Sequence, residues 1–308
     1  MGKLILKILF FISPFVIILV FIPVDRRLQY QGLENDCFNH ALWIHDRIFI
    51  NAKPVDIAFL GSSRTINNIN DQMIEEKLHP LKFHVVNFGY CRFGRNLSYV
   101  LMKDILKETK VHILILEVRE DEDRYSHPIF PYIAETRDVF LAYPFFNKNL
   151  IFDYYRHLTY KLETLKDDYI NRCEEVPVRQ DAYGFSSFDD TASIELLNEA
   201  KMRRNMQAPK LSGFSRNFHM QYPRKYLKDI SDVCKENDIR ICFLYLPAYG
   251  TSLLKPAEFY TYMKYGEIFI PPSGILNNTN NWFDENHFNQ NGARELSGWI
   301  ACELKMIK

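Results

Sequence analysis

The stretch Asp56-Ile-Ala-Phe-Leu-Gly-Ser-Ser-Arg-Thr65 constrains the fold more than any other in the chain. An apolar run that stops abruptly at a glycine reads as a short buried strand, here Val55 to Leu60. The turn after such a strand lies at the carboxyl end of a parallel sheet, where α/β proteins place their chemistry. Gly61 permits the sharp turn, and either Ser62 or Ser63 would sit at the foot of the next helix. Gly-Ser-Ser is also ordinary strand-to-loop punctuation, so the turn alone names no function.

The pattern continues in alternation. Ile69 to Leu78 predicts a helix, His84 to Phe88 a strand, Asn96 to Glu108 a helix with Asn96 as its cap, and His112 to Val118 a strongly apolar strand. Tyr226 to Asn237 predicts a helix, Ile239 to Leu246 a strand, Pro256 to Tyr265 a helix, Ile268 to Ile270 a short strand, and Asn291 to Leu304 the closing helix. Alternation of this kind implies α/β architecture, with parallel strands and helical crossovers on both faces. Between about 121 and 221 the rhythm breaks. That block holds helical stretches at Ile151 to Leu165 and Ser193 to Met206 and a polar loop around Val176 to Asp190, and it reads as an insertion or lid at the sheet's functional edge.

At the amino terminus, Leu4 to Ile22 is apolar except for Lys7, Ser13 and Pro14, and about 20 such residues match a bilayer core of roughly 30 Å. The chain continues Pro-Val-Asp-Arg-Arg with no small-residue cleavage site, so residues 1–25 read as an uncleaved anchor and 26–52 as a linker with a short helix around Asp36 to Ile50. Lys3, Lys7 and the terminal amine against Arg26 and Arg27, offset by Asp25, lean towards a cytoplasmic amino terminus and a single-pass protein with its main domain, 53–308, outside the cytoplasm.

Lys+Arg and Asp+Glu both number 38, which leaves no basic excess for binding nucleic acid. The cysteines at 37, 91, 173, 234, 242 and 302 show no metal-ligand spacing, so neither a metal nor another cofactor is expected. Cys242 and Cys302 lie in apolar segments where a thiol acts as a small hydrophobe, which makes disulfides the weaker reading; spacing settles no pairing.

The second chemical element is Trp282-Phe-Asp-Glu-Asn-His-Phe-Asn-Gln-Asn-Gly-Ala293. Asp284 and His287 are three residues apart just before a helix, close enough for the carboxylate to fix the imidazole's tautomer and support its positive charge. The alternative is an Asp/His pair that merely caps the last helix.

Together, Gly61-Ser-Ser-Arg64, Asn87-Phe-Gly-Tyr-Cys-Arg92 and Asp284-x-x-His287 resemble, in order, the SGNH (GDSL-like) hydrolase superfamily. The likeness covers about 55–120 and 222–306. It implies a flavodoxin-like three-layer α/β/α sandwich and serine-dependent hydrolysis or transfer of acyl groups, with Ser63 as nucleophile, His287 as base and Asp284 as its orienting acid. It also implies Gly89 as a backbone donor to the oxyanion; Asn87, Arg64, Arg92 and Arg119 are this chain's further oxyanion or substrate-binding candidates. Two positions depart from the family pattern. The third strand runs into Glu117-Val-Arg-Glu-Asp121 where an asparagine is expected, and Arg92 stands where many members have a second glycine. Arg119 would either replace the missing donor or be tied to Glu117 or Glu120.

Anchored members of this kind resemble enzymes that add or remove O-acyl groups on cell-envelope polymers. The expected partners are a cell-surface glycan or acyl carrier, the membrane and envelope-assembly proteins. An inactive relative that binds glycan or serves assembly is the alternative. A nucleotide binder of similar fold is disfavoured by the absence of a Gly-rich phosphate loop.

Overall fold

The computed structural model describes residues 2–33, 35–122, 124–171, 176–207 and 213–307. In chain order the helices before the sheet are α1 (Gly2–Phe21), α2 (Arg26–Gln31) and α3 (His40–His45). The first half of the sheet follows as β1 (Ile57–Leu60), α4 (Ser63–Asn68), α5 (Asp71–Leu78), β2 (Val85–Asn87), α6 (Arg95–Glu108) and β3 (Ile113–Val118). Then come α7 (Phe130–Ile133), α8 (Thr136–Phe140), α9 (Leu150–Lys166), α10 (Ile194–Gln207) and α11 (Gly213–Glu236). The chain closes with β4 (Arg240–Tyr245), α12 (Phe259–Tyr262), β5 (Glu267–Phe269), α13 (Ser273–Asn277) and α14 (Gln290–Met306).

The five strands are all parallel in the order β2-β1-β3-β4-β5. Side chains alternate between the two faces, as a pleated strand requires. Ala58, Leu60, Leu114, Leu116, Phe243 and Tyr245 pack with α6 residues Leu97, Leu101 and Ile105 and with Leu227 and Ile230 of α11. Ile57, Phe59, Ile113, Ile115, Cys242 and Leu244 pack on the other side with Ile74 and Leu78 of α5 and Leu296, Ile300 and Leu304 of α14. Burial on both faces explains why these strands read as continuous apolar runs.

Several expectations are corrected. Residues 26–52 are not a linker, because Tyr30, Trp43, Ile44 and Ile48 are buried in the first of these cores. Ile69 is not helical but separates α4 from α5, and α11 starts well before Tyr226. Gly94, not Asn96, caps α6; the Asn96 amide holds Ser126 Oγ at 2.8 Å and the backbone N–H of His127. Among the described residues no helix is long and apolar enough to cross a membrane. The expected apolar run, Leu4–Ile22, lies in the 20-residue helix α1 except for Ile22, with Leu6, Phe10, Phe15 and Phe21 exposed; the side chains of Ile5, Ile8 and Leu9 lie outside the described residues.

A disulfide joins Cys37 to Cys91, contrary to the weaker weight the sequence gives to such bonds. It clamps the segment before β1 to the loop after β2, a separation of 54 residues. Cys234 and Cys242 are buried free thiols and Cys302 is exposed; Cys173 lies outside the described residues. Loop-closure entropy for a separation of this size gives about 4 kcal/mol. The double variant Cys37→Ser, Cys91→Ser is therefore expected to lower the urea-unfolding free energy by an amount of that order, as reduction of the wild type should.

Candidate active site

β1 ends at Leu60, which pairs with Leu116, so Gly61 stands level with Glu117 on β3. The turn needs glycine because a Cβ at Gly61 would collide with Thr65 Oγ1 and Glu117 Oε2. Ser62 and Ser63 follow with different roles. Ser62 is fully buried and is the N-cap of α4, its Oγ accepting from the Arg64 N–H at 3.0 Å. Ser63 is the first residue of α4 and is partly exposed, with its Oγ 2.8 Å from His287 Nε2. His287 Nδ1 in turn lies 3.0 and 2.8 Å from the two Asp284 carboxylate oxygens.

These distances dictate the protons. Burial alone would raise the Asp284 carboxyl, but the bond and charge of His287 together with the backbone N–H groups of Asn286 and His287 hold the group below its ordinary range. An ionised carboxylate only accepts, so Nδ1 carries the imidazole proton and Nε2 presents a lone pair to the Ser63 hydroxyl. Residues distant in sequence thus form a hydroxyl–imidazole–carboxylate relay.

The sheet holds the serine side of the relay through Glu117. This buried carboxylate accepts from the Ser62 N–H (2.6 Å), Ser62 Oγ (2.8 and 2.7 Å), Thr65 Oγ1 (2.7 Å) and Arg119 Nε (2.6 Å). Burial would raise its pKa, but the Arg119 guanidinium, with Arg64 and the Ser62 N–H, holds it down at about 2.

The histidine side is held from α4. Arg64 donates to Asn286 Oδ1 at 2.6 Å, and Asn68 Oδ1 accepts from the Phe288 N–H at 2.8 Å, so α4 grips the residues on both sides of His287. Arg64 also reaches Glu120 (3.1 Å) and the Leu246 carbonyl (2.6 Å) at the end of β4. The Asp284 carboxylate accepts from the backbone N–H groups of Asn286 and His287 at 2.7 and 2.8 Å, folding its own loop. Asn289, not the Asp/His pair, caps α14.

The other candidates are placed differently. Asn87 is buried, and its amide donates to the carbonyls of Thr65 and Ile69 at 2.7 and 2.8 Å, which fixes α4 onto the sheet. The Gly89 N–H donates to Asn87 Oδ1 at 3.0 Å and so is engaged within its own turn. Arg92 pairs with Asp36 at the surface beside the disulfide and is not brought to Ser63. Arg119 donates to Glu117 and Ser62 Oγ and lies over the Phe93 ring at 4.9 Å, which is the ion-paired alternative of the two weighed for it. Arg64 is a brace between elements.

The stretch around Val176 to Asp190, expected as a loop, belongs to an irregular strap over 176–192 across the same edge. The Ser186 N–H donates to the Ile66 carbonyl (3.3 Å) and the Gln290 N–H to the Phe188 carbonyl (2.8 Å), while Phe188 stacks on Phe283 at 4.0 Å and lies 5.8 Å from the His287 ring. Asp71 fastens its middle, accepting from the N–H groups of Gly184 (2.8 Å) and Phe185 (3.3 Å) and from that of Asn87 on β2 (2.8 Å). Burial pushes the Asp71 carboxyl up to about 6 against the pull of these donors. A Cβ at Gly184 would collide with the Asn87 carbonyl oxygen and, at 2.7 Å, with Trp43. Gly184→Ala is therefore expected to cost about 1–3 kcal/mol by overpacking, measured by urea unfolding, and to open the strap to limited proteolysis between 176 and 192.

Glu117, Asn68, Asn286 and Phe188 escape sequence reasoning as site residues. The only signal was position, with Glu117 ending an apolar strand and Asn286 abutting His287. No family model, curated protein or solved structure matches this chain.

Proposed function

We propose that the chain is a serine esterase or O-acyltransferase acting on acetyl-type esters of a cell-envelope glycan or related carrier, through an acyl-serine at Ser63. The carrying observation is the relay of Ser63, His287 and Asp284. In this reading His287 Nε2 takes the hydroxyl proton as Ser63 Oγ attacks the ester carbonyl, then returns it to the leaving alcohol. Water or a second hydroxyl then attacks the acyl-serine with His287 again as base, giving hydrolysis or transfer. As the first helical residue, Ser63 has no intrahelical acceptor for its own N–H, which suits it to the developing oxyanion.

The strand order supports the finer fold reading, a flavodoxin-like three-layer sandwich over 53–308 with an insertion at about 121–221. The Cys37–Cys91 bond suits an oxidising, extracytoplasmic compartment. Helix α1, about 30 Å long at 1.5 Å per residue and with apolar side chains exposed around it beyond Lys7, supports a single-pass tether.

The second reading, an inactive glycan-binding or assembly component, draws on the engagement of the Gly89 N–H and Arg119 elsewhere. Assay of the purified chain with an activated acetyl ester, with and without glycan oligosaccharides as acceptors, separates the two. The enzyme reading expects turnover, with acetyl appearing in water or on the acceptor. Acceptor binding without any acyl release decides for the inactive one.

A further inference from the structure

Helix α9 is inside out. Its buried stripe is polar, comprising Asp153, His157, Lys161 and Thr164. Ile151, Phe152, Tyr155 and Leu162 on the same helix are 80, 64, 66 and 58% exposed. At 3.6 residues per turn, Ile151, Leu162 and Tyr155 fall within about 40° of one another and Phe152 about 100° from Ile151, while the buried polar four lie on the far side at roughly 200° to 280°. A helix on a water-facing surface shows the reverse arrangement.

The inward polar groups are bonded. Asp153 accepts from Asn147 at 2.8 Å, His157 meets the Pro131 carbonyl and Thr136 Oγ1 at 2.8 and 2.9 Å, and Thr164 bonds the Tyr160 carbonyl at 2.9 Å. Lys161 donates to the Val20 carbonyl at 2.9 Å, which fastens α9 to the last turn of α1. Helix α1 exposes Leu6, Phe10, Phe11, Ile12, Phe15 and Val16, which at about 100° per residue fall around its circumference. The apolar face of α9 is continued by Tyr169 and Ile170, 69 and 73% exposed.

We propose that the outward face of α9, with Tyr169 and Ile170, lies in the boundary layer of a lipid bilayer beside α1, as an in-plane helix that seats the α/β body on the membrane. The occupant is lipid because α1, beyond Lys7, exposes apolar side chains on every side, which a bilayer satisfies and a partner contacting one stripe does not, and α9 is bonded to the end of that helix. Tyrosines within the apolar face suit the headgroup level. Exposed Lys166, in the same arc, reaches the headgroups with its ammonium while its stem stays apolar. This inference rests on the tether in the reading above and not on the chemistry at Ser63.

The test uses the full chain carrying Cys173→Ser and Cys302→Ser, with the disulfide intact. Single cysteines at Phe15, Tyr155, Leu162 or, as control, Lys228 carry an environment-sensitive fluorophore, and the protein is reconstituted in phosphatidylcholine–phosphatidylglycerol vesicles. Labels at 155 and 162 are expected to shift to the blue, to be quenched by a spin label high on the lipid acyl chain, and to lose quenching by aqueous iodide; the label at 228 should show the opposite. Lipid quenching at 15 with free iodide access at 155 and 162 overturns the seating of α9 while keeping the tether. Absence of lipid quenching at all sites, 15 included, removes the tether and the inference together. Protection from iodide at 155 and 162 without lipid quenching means that protein covers the face, which also overturns the proposal.

Discussion

Ser63→Ala is expected to lower ester turnover by about 10⁴- to 10⁶-fold, the range over which loss of a nucleophile from such a relay acts. Stability should change by no more than about 0.5 kcal/mol, as for a partly exposed side chain outside the core. His287→Ala should cost nearly as much, and the double variant little more, because the two act as one unit. Ser62→Ala should behave in the opposite way. Its Oγ caps α4 and bonds Glu117, so about 1 kcal/mol of stability should go while turnover persists. Parallel rate and urea-unfolding measurements on the three single variants separate the roles of the adjacent serines.

Glu117→Gln carries the largest expected loss of stability. The substitution leaves the Arg119 guanidinium without its carboxylate and puts an amide where four donors converge. Breaking a buried pair from one side typically costs about 3–5 kcal/mol. The pH dependence follows from the sign of the shift. Glu117 is held at about 2, below its ordinary 4.5, so on acidification the unfolded chain binds its proton first. Its stabilisation is fully present above pH 4.5 and is lost as pH falls towards 2. At 1.36 kcal/mol per pH unit the gap corresponds to about 3 kcal/mol. His127, which burial holds at about 4, also weakens the fold as pH falls below 6.5, because the native state resists its protonation. Subtracting the pH profile of Glu117→Gln from that of the wild type isolates the carboxylate, and the difference should shrink between pH 4.5 and 2.

The sheet was legible because strands buried on both faces leave unbroken apolar runs, as in Ile113 to Leu116. Ser63, Asp284 and His287 were legible because a strand that stops at glycine, and an Asp-x-x-His just ahead of a helix, both mark the same end of a parallel sheet. Residues 26–52 read as polar because Asp46 and Arg47 are charged, yet both are buried and bonded, Asp46 to Arg27 and the Arg179 N–H, Arg47 to the carbonyls of Lys53, Pro54 and Ala182. The strap was read only as a loop because it has no periodicity, and its hold comes from backbone bonds to distant side chains such as Asp71. Gly89 and Arg119 illustrate the limit of motif reasoning. Residue type puts a donor nearby, but its acceptor depends on neighbours such as Asn87 and Glu117 that only the fold brings together.

The most direct test of the account is to label the purified chain with a fluorophosphonate probe and map the adduct by mass spectrometry. An adduct on Ser63, lost in both Ser63→Ala and His287→Ala, is the predicted result. An adduct on Ser62, one that survives His287→Ala, or no adduct on a folded chain would contradict it.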